Sequence, residues 1–301
     1  MTVEKARVRA VAKPWGSRDL APWSSIDPAG EAIGELWFDR ADPEAPPPSL
    51  LLKLLFTTRP LSIQVHPDDD RARAIGLANG KTEAWYVLAA DADAEVSLGP
   101  SRPIERSDLR AVIADGSIAA LIAHRPVRPG ELIFVPAGTI HAIGPGLVIA
   151  EIQQRSDTTW RLFDHGSDRE LHVDQAVAAA RLDPIAPTPP PRPVDEGRTR
   201  LVDCPQFVIE RLEMAADARR AVVAMDELWL LVIGGGIRIG AVEAKVGEAV
   251  HLDLAFEILA AGPGGADVLL VHTARRPFPS LTAMREDTPA APPAGDPERG
   301  A

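Results

Sequence analysis

Pro60-Leu61-Ser62-Ile63-Gln64-Val65-His66-Pro67-Asp68-Asp69-Asp70 begins as an alternation of apolar and polar residues and ends in an acidic turn. In a β-strand, side chains two apart share a face. Ser62, Gln64 and His66 therefore fall on one face, and Leu61, Ile63 and Val65 on the other. Taken alone, the stretch reads as a half-buried strand with its polar face in water. A hydroxyl, an amide and an imidazole on one face are an odd set to build for packing alone, so the rest of the chain has to decide which way that face points.

The chain has 301 residues, enough for one large domain or two ordinary ones. It is 46% hydrophobic and 25% charged, as in soluble globular proteins. A net charge of −11 argues against general nucleic-acid binding, which needs a basic surface. It leaves room for a small anionic substrate, because a local pocket can be basic on an acidic protein. The single cysteine, Cys204, rules out an internal disulfide and fits a reducing compartment. Neither a signal-peptide pattern nor an apolar run of membrane-spanning length is visible, so the expected location is the cytoplasm. The 29 prolines and 23 glycines suit a mainly β protein with frequent turns.

Residues 1–50 read as irregular, with a turn at Lys13-Pro14-Trp15-Gly16 and a strand over 33–38. A second strand runs over 50–56, where Lys53 interrupts an apolar run. It is either a snorkelling edge residue or a cation aimed into a pocket. A short helix over 69–78 is followed by strands over 82–88, 96–98, 131–136 and 147–154. Helices are expected over 107–122, with Ser107 as N-cap, and over 173–181. Asp183 to Thr199 is a proline-rich linker and the best boundary in the chain. After it, residues 200–275 show short strands separated by glycine turns. The tail, 276–301, has the composition of a disordered segment. His251 and His272 have no ligand types beside them and read as structural.

Four polar residues placed on strands in the first half stand out: Gln64, His66, Glu83 and His141. Two imidazoles, a carboxylate and an amide oxygen form a divalent-metal set. Antiparallel strands bring residues far apart in sequence onto one face, so their separation is no obstacle. Zinc fits best, with iron, manganese and cobalt also able to occupy such a set. Around these positions the chain is chemically dense. Lys81 adjoins Glu83 through Thr82, His141 follows the turn 136–139, and Glu151, Asp157 and Arg161 lie within ten residues.

Six segments carry a resemblance: Lys13-Pro-Trp-Gly, Leu52-Lys-Leu-Leu, Pro60 to Asp68, Gly80-Lys-Thr-Glu-Ala-Trp-Tyr, Pro136-Ala-Gly-Thr-Ile-His-Ala-Ile-Gly, and Glu151-Ile-Gln-Gln-x-Ser-Asp-Thr-Thr-x-Arg. In order and content the chain resembles the type I mannose-6-phosphate isomerases, in a compact bacterial form. The resemblance implies two cupin-type β-barrels with a few short helices. Residues 1–182 would form the catalytic unit, 183–199 the linker and 200–275 a smaller second barrel. One zinc is implied, held by Gln64, His66, Glu83 and His141. Arg161 falls on the family's essential arginine. Lys81, Glu151 and Asp157 match acid/base or sugar-orienting groups, and Ser62 and Lys53 match the phosphate end. The chain has Gly80 where longer members have histidine, and Arg155 where asparagine is common, which would add a cation near the site.

The implied activity is interconversion of mannose 6-phosphate and fructose 6-phosphate through an enediol. The partner is then a small sugar phosphate, with neither nucleic acid nor membrane involved. Lys81 and Glu151 form the expected acid/base pair, with Asp157 orienting hydroxyls. Two other readings keep the metal set: a non-catalytic sugar-phosphate-binding cupin, or another metal-cupin enzyme such as an oxygenase or epimerase. The acid/base residues argue against the first. That the ligand set holds only two histidines argues against an oxygenase.

Overall fold

The computed structural model describes residues 2–275 and 279–283. Strands dominate, and the described residues contain only short helices. All registered strand pairs are antiparallel, and the fold is mainly β and cupin-like. In the first half, one sheet has the strand order Arg7–Ser17, Ile33–Asp39, Leu50–Thr57, Leu147–Gln154, Glu83–Ala90, Leu132–Val135. A second has the order Trp160–Phe163, Ile63–Val65, His141–Ile143, Glu95–Pro100, Ile122–Pro126. A larger sheet takes most of the second half and includes Leu228–Ile239, Ala255–Thr273 and Phe207–Met214. The chain's first strand, Thr2–Lys5, also joins it by pairing with Ala249–Asp253.

The Leu50–Thr57 strand shows why this sequence folds this way. Its sequence, Leu-Leu-Leu-Lys-Leu-Leu-Phe-Thr, is nearly all apolar because both faces are covered. Leu50, Leu52, Leu54 and Phe56 face the second half, packing in one cluster with Phe207, Trp229, Leu231 and Val271. Leu55 joins Trp85, Ile149 and Ile143 between the two first-half sheets. Lys53, of the same parity as Leu55, is buried on that inner side (2% exposed). It is therefore neither an edge nor a snorkelling residue, since its strand is central. The helices Arg106–Ala114, Ile118–Leu121 and Val173–Ala179 cover the other face of the second sheet, against Ile63, Val65 and Leu162.

Several expectations are corrected. Lys13 to Gly16 lies in the strand Arg7–Ser17, across a register shift, rather than in a turn. The helix expected over 107–122 is two helices broken at Asp115-Gly116, where Gly116 takes a positive φ of 77°. Ser107 sits inside the first of them rather than capping it. The Gly234–Gly236 run is a pair of register shifts within one long strand rather than a turn. Of the tail expected to be disordered, Ser280–Ala283 pairs with Arg219–Ala224, and residues 276–278 and 284–301 lie outside the described residues. Within the linker stretch, Arg192–Asp195 pairs at the edge of the second-half sheet.

Candidate active site

His66, just past the end of the strand Ile63–Val65, and His141, at the start of the neighbouring strand, reach the same point from one sheet, and Glu83 reaches it from the other. His141 opens its strand directly opposite Gln64. It is delivered there by the turn Pro136–Thr139, in which the Thr139 amide donates to the Pro136 carbonyl. Gly138 takes a φ of 86° in that turn, a conformation costly to other residues, and its amide donates to the His66 carbonyl. Glu83 is the first residue of Glu83–Ala90, and the Trp85 indole N–H donates to its Oε1 at 3.0 Å. All three side chains are buried, and one ligand atom from each lies within 4.8 Å of the others.

The hydrogen bonds at the rear of each imidazole decide what the front can do. His66 Nδ1 is 2.8 Å from the Thr158 carbonyl and His141 Nδ1 is 2.9 Å from the Thr139 carbonyl. A carbonyl only accepts, so each Nδ1 carries the proton and each Nε2 turns a lone pair inward. Those lone pairs face a carboxylate: His66 Nε2 is 3.4 Å from Glu83 Oε2 and His141 Nε2 is 3.3 Å from Oε1. Acceptors facing acceptors in a buried site repel unless a cation lies among them; the Lys81 ammonium, 3.2 Å from His66 Nε2 and Glu83 Oε2, offsets this on one side, and no ion pair or hydrogen bond among the described residues joins it to His141 Nε2 or Glu83 Oε1. Around a tetrahedral zinc with bonds of about 2.0–2.2 Å, ligand atoms stand roughly 3.3–3.5 Å apart. Glu83 Oε2 meets only the Lys81 ammonium as a donor among the described residues. The donor set and its spacing fit a zinc ion. Gln64 Nε2 stands 3.3 Å from His141 Nε2, and a half-turn of that amide would set its oxygen there instead.

Electrostatics agree. Burial, then the Lys81 ammonium, drives the His66 pKa down to about 3, and burial lowers that of His141. Both rings are therefore neutral, the form that binds metal. Burial alone would raise the Glu83 pKa, but the Lys81 ammonium opposes it, and the carboxyl lies well below its usual range. Lys81 Nζ lies 3.2 Å from both Glu83 Oε2 and His66 Nε2.

The adjoining pocket, about 210 Å3, is lined by Ser62, Gln64, Lys53, Lys81, Glu151, Asp157 and Arg161. The expected site residues outside the three-residue cluster thus all meet in one cavity. Lys53 and Glu151 are directly opposite on neighbouring strands and form a buried ion pair at 3.0 Å. Burial raises the Glu151 pKa despite Lys53. Among the described residues, Arg161 Nε is buried without a hydrogen-bond partner. The strand carrying Glu151 ends at Gln154, so Asp157 and Arg161 arrive by a loop and a new strand. Arg155, expected near the site, instead pairs with Asp39 at 3.2 Å and does not line this pocket.

Sequence reasoning missed Lys13, Glu35, Arg169 and His172, which also line the pocket. Glu35 pairs with Lys13 at 3.5 Å and accepts the Trp37 indole N–H at 2.5 Å. A signal for it was present: Glu-x-Trp occurs at 35–37, 83–85 and 227–229, and on a strand that spacing lets the indole reach the carboxylate. The pocket lining holds five lysine or arginine side chains against three carboxylates, on a chain of net charge −11.

No family model matches the chain. Its sequence is 35% identical over 214 residues to a mannose-6-phosphate isomerase of Streptococcus mutans, covering 68% of this chain and 67% of that protein. It is 32% identical over 209 residues to a mannose-6-phosphate isomerase of Bacillus subtilis, covering 63% and 64%. Among solved structures, a mannose 6-phosphate isomerase from Bacillus subtilis superposes with a TM-score of 0.77 at 25% identity, covering 90% of this chain and all of that one. A mannose 6-phosphate isomerase bound with zinc and yttrium shares the fold, with a TM-score of 0.68 at 16% identity over 91% of this chain and all of that one. By sequence over two thirds of both chains, and by fold, this chain belongs to the mannose-6-phosphate isomerase family.

Proposed function

We propose that the protein is a zinc-dependent isomerase interconverting mannose 6-phosphate and fructose 6-phosphate. The observation that carries this is the pair of inward imidazole lone pairs facing Glu83 at the floor of a cation-rich pocket. His66, Glu83 and His141 hold the metal, with Gln64 as a fourth ligand through its amide oxygen. Bound zinc supplies Lewis acidity and neutralises developing negative charge.

The chain's own residues do the rest. In the open-chain aldose, a base takes the C2 proton, the C–H electron pair forms the C1–C2 double bond, and the carbonyl oxygen is protonated. C1 of the resulting enediol takes the proton back from the base while the C2 hydroxyl loses one, leaving the ketose. Glu151 is suited to accept and return the carbon-bound proton, because it is buried, its pKa is raised and it faces the pocket. Lys81 supports the oxygen side, where negative charge develops. Arg161 adds fixed positive charge there, and its Nε has no hydrogen-bond partner among the described residues. Asp157 orients hydroxyls by accepting from them. Ser62 and Lys53 meet the phosphoryl group, Lys53 being shared with Glu151.

The catalytic chemistry belongs to residues 1–182, and residues 200–275 support it across the cluster containing Leu52 and Trp229. No helix among the described residues is long and apolar enough to cross a membrane. The reading places the enzyme in the cytoplasm, acting on a free sugar phosphate.

A coupled assay with mannose 6-phosphate tests the proposal. Turnover should be abolished by a chelator and restored by zinc. Turnover unaffected by full metal removal would overturn it. In the same assay Arg161→Ala should lower kcat about 100-fold or more with zinc content unchanged.

A further inference from the structure

The segment Gly80-Lys81-Thr82 belongs to neither helix nor strand, yet each of its three backbone N–H groups is held. The Gly80 amide donates to Asp69 Oδ1 at 2.8 Å. The Lys81 amide donates to the Pro67 carbonyl at 2.9 Å. The Thr82 amide donates to Gln154 Oε1 at 3.0 Å. The two side-chain acceptors are themselves joined, since Gln154 Nε2 donates to Asp69 Oδ1 at 2.8 Å. The Gln154 amide closes the ring by donating to the Thr82 carbonyl at 3.1 Å. A Cβ on Gly80 would stand 2.5 Å from the Asp68 carbonyl carbon and 2.6 Å from the Pro67 oxygen, so this backbone lies directly on the acidic turn.

The consequence reaches the site. Lys81 is the residue between the two clamped amides, and its Nζ sits within 3.2 Å of two metal-binding side chains. A lysine side chain has four rotatable bonds, so the placement of its ammonium depends on where its Cα is fixed. We propose that Asp69 and Gln154 are positioning residues that set the Lys81 backbone so that its ammonium meets the reacting sugar. Neither touches the three-residue cluster. They act through Lys81, by two hydrogen bonds to its neighbours' amides. The inference rests on the reading of Lys81 as a working residue.

The test combines kinetics, zinc stoichiometry and amide hydrogen exchange on the full chain. Asp69→Ala should lower kcat about 10- to 100-fold, because a displacement near 1 Å can cost that much. KM and zinc per chain should stay within about twofold, and exchange at the Gly80 and Thr82 amides should quicken. Asp69→Asn keeps an oxygen for both donors and should stay within about threefold of the parent kcat. Gln154→Glu puts a carboxylate against Asp69 and should fall as far as Asp69→Ala. The inference is overturned if Asp69→Ala stays within threefold of the parent, if its zinc falls in step with activity, or if Asp69→Asn is as impaired as Asp69→Ala. Should Lys81→Met retain full turnover, the reading of Lys81 fails. Unchanged Gly80 and Thr82 exchange in Asp69→Ala would instead refute the clamp itself.

Discussion

The two halves contain the same small device with opposite outcomes. In the first, Trp85 donates its indole N–H to Glu83 and meets His141 edge-on, ring centroids 5.4 Å apart. In the second, Trp229 donates to Glu227 at 2.8 Å and meets His251 edge-on at 4.8 Å. Both carboxylates are buried. They differ in what else faces them. Glu83 faces two imidazole lone pairs and the Lys81 ammonium. Glu227 accepts from the Ser49 and Leu50 amides, which belong to the first half. The Lys81 ammonium works against burial at Glu83, which lies well below the usual carboxylate range, whereas at Glu227 burial wins over the N–H dipoles and its pKa rises. One carboxylate is left for a cation, while the other ties the second half to the start of the strand that carries Lys53.

That contrast sets the expected effects. The largest separates the two carboxylates. Glu83→Gln should remove bound zinc and cut kcat/KM by about 1,000-fold or more, with the chain still folded. Glu227→Ala should keep zinc but strand three donors and cost about 2–4 kcal/mol in urea unfolding. If Glu227→Ala also lost its zinc at full stability, the division of labour would be wrong. Next come the tryptophans. Trp85→Phe deletes a hydrogen bond behind a metal ligand and should weaken zinc binding about 10-fold, measured against a competing chelator. Trp229→Phe should leave zinc affinity within about twofold.

The three Glu-x-Trp pairs also show what was legible beforehand. Alternation gave the strands around Gln64, Glu83 and Glu151 and the buried run at Leu50–Thr57. The metal set was readable because unlike ligand types sat on strands beside turns. Beyond the tryptophan two residues on, the partners of Glu227 and Glu35 were not readable, because they come from elements distant in sequence: Glu227 meets residue 49, and Glu35 meets Lys13. Likewise the loop after Gln154 decides that Arg155 turns to Asp39 while Asp157 and Arg161 turn to the pocket. The break in the expected 107–122 helix depends on Gly116, whose Cβ position would crowd Phe163 at 3.3 Å, a contact that spacing alone does not show.

The smallest expected effect concerns the histidine of the second device. Burial, then Arg40 and Arg155, lowers the His251 pKa from 6.5 to about 3, with Glu4 facing its Nδ1 at 3.5 Å. The unfolded chain then takes up a proton near pH 6.5 that the folded chain refuses until about pH 3. Stability from this residue is therefore full above pH 6.5 and is lost as pH falls toward 3. His251→Gln should flatten the acid limb of the stability curve relative to the parent and leave turnover at neutral pH within about twofold. An unchanged acid limb would count against the assignment.

The central claim is that one half holds a catalytic metal and the other does not. It is tested most directly by adding zinc stepwise to chelated enzyme while following mannose 6-phosphate isomerisation. Activity should rise in proportion to added zinc and stop at one ion per chain. A rise that continues to two ions per chain, or full activity before any zinc is added, would contradict it.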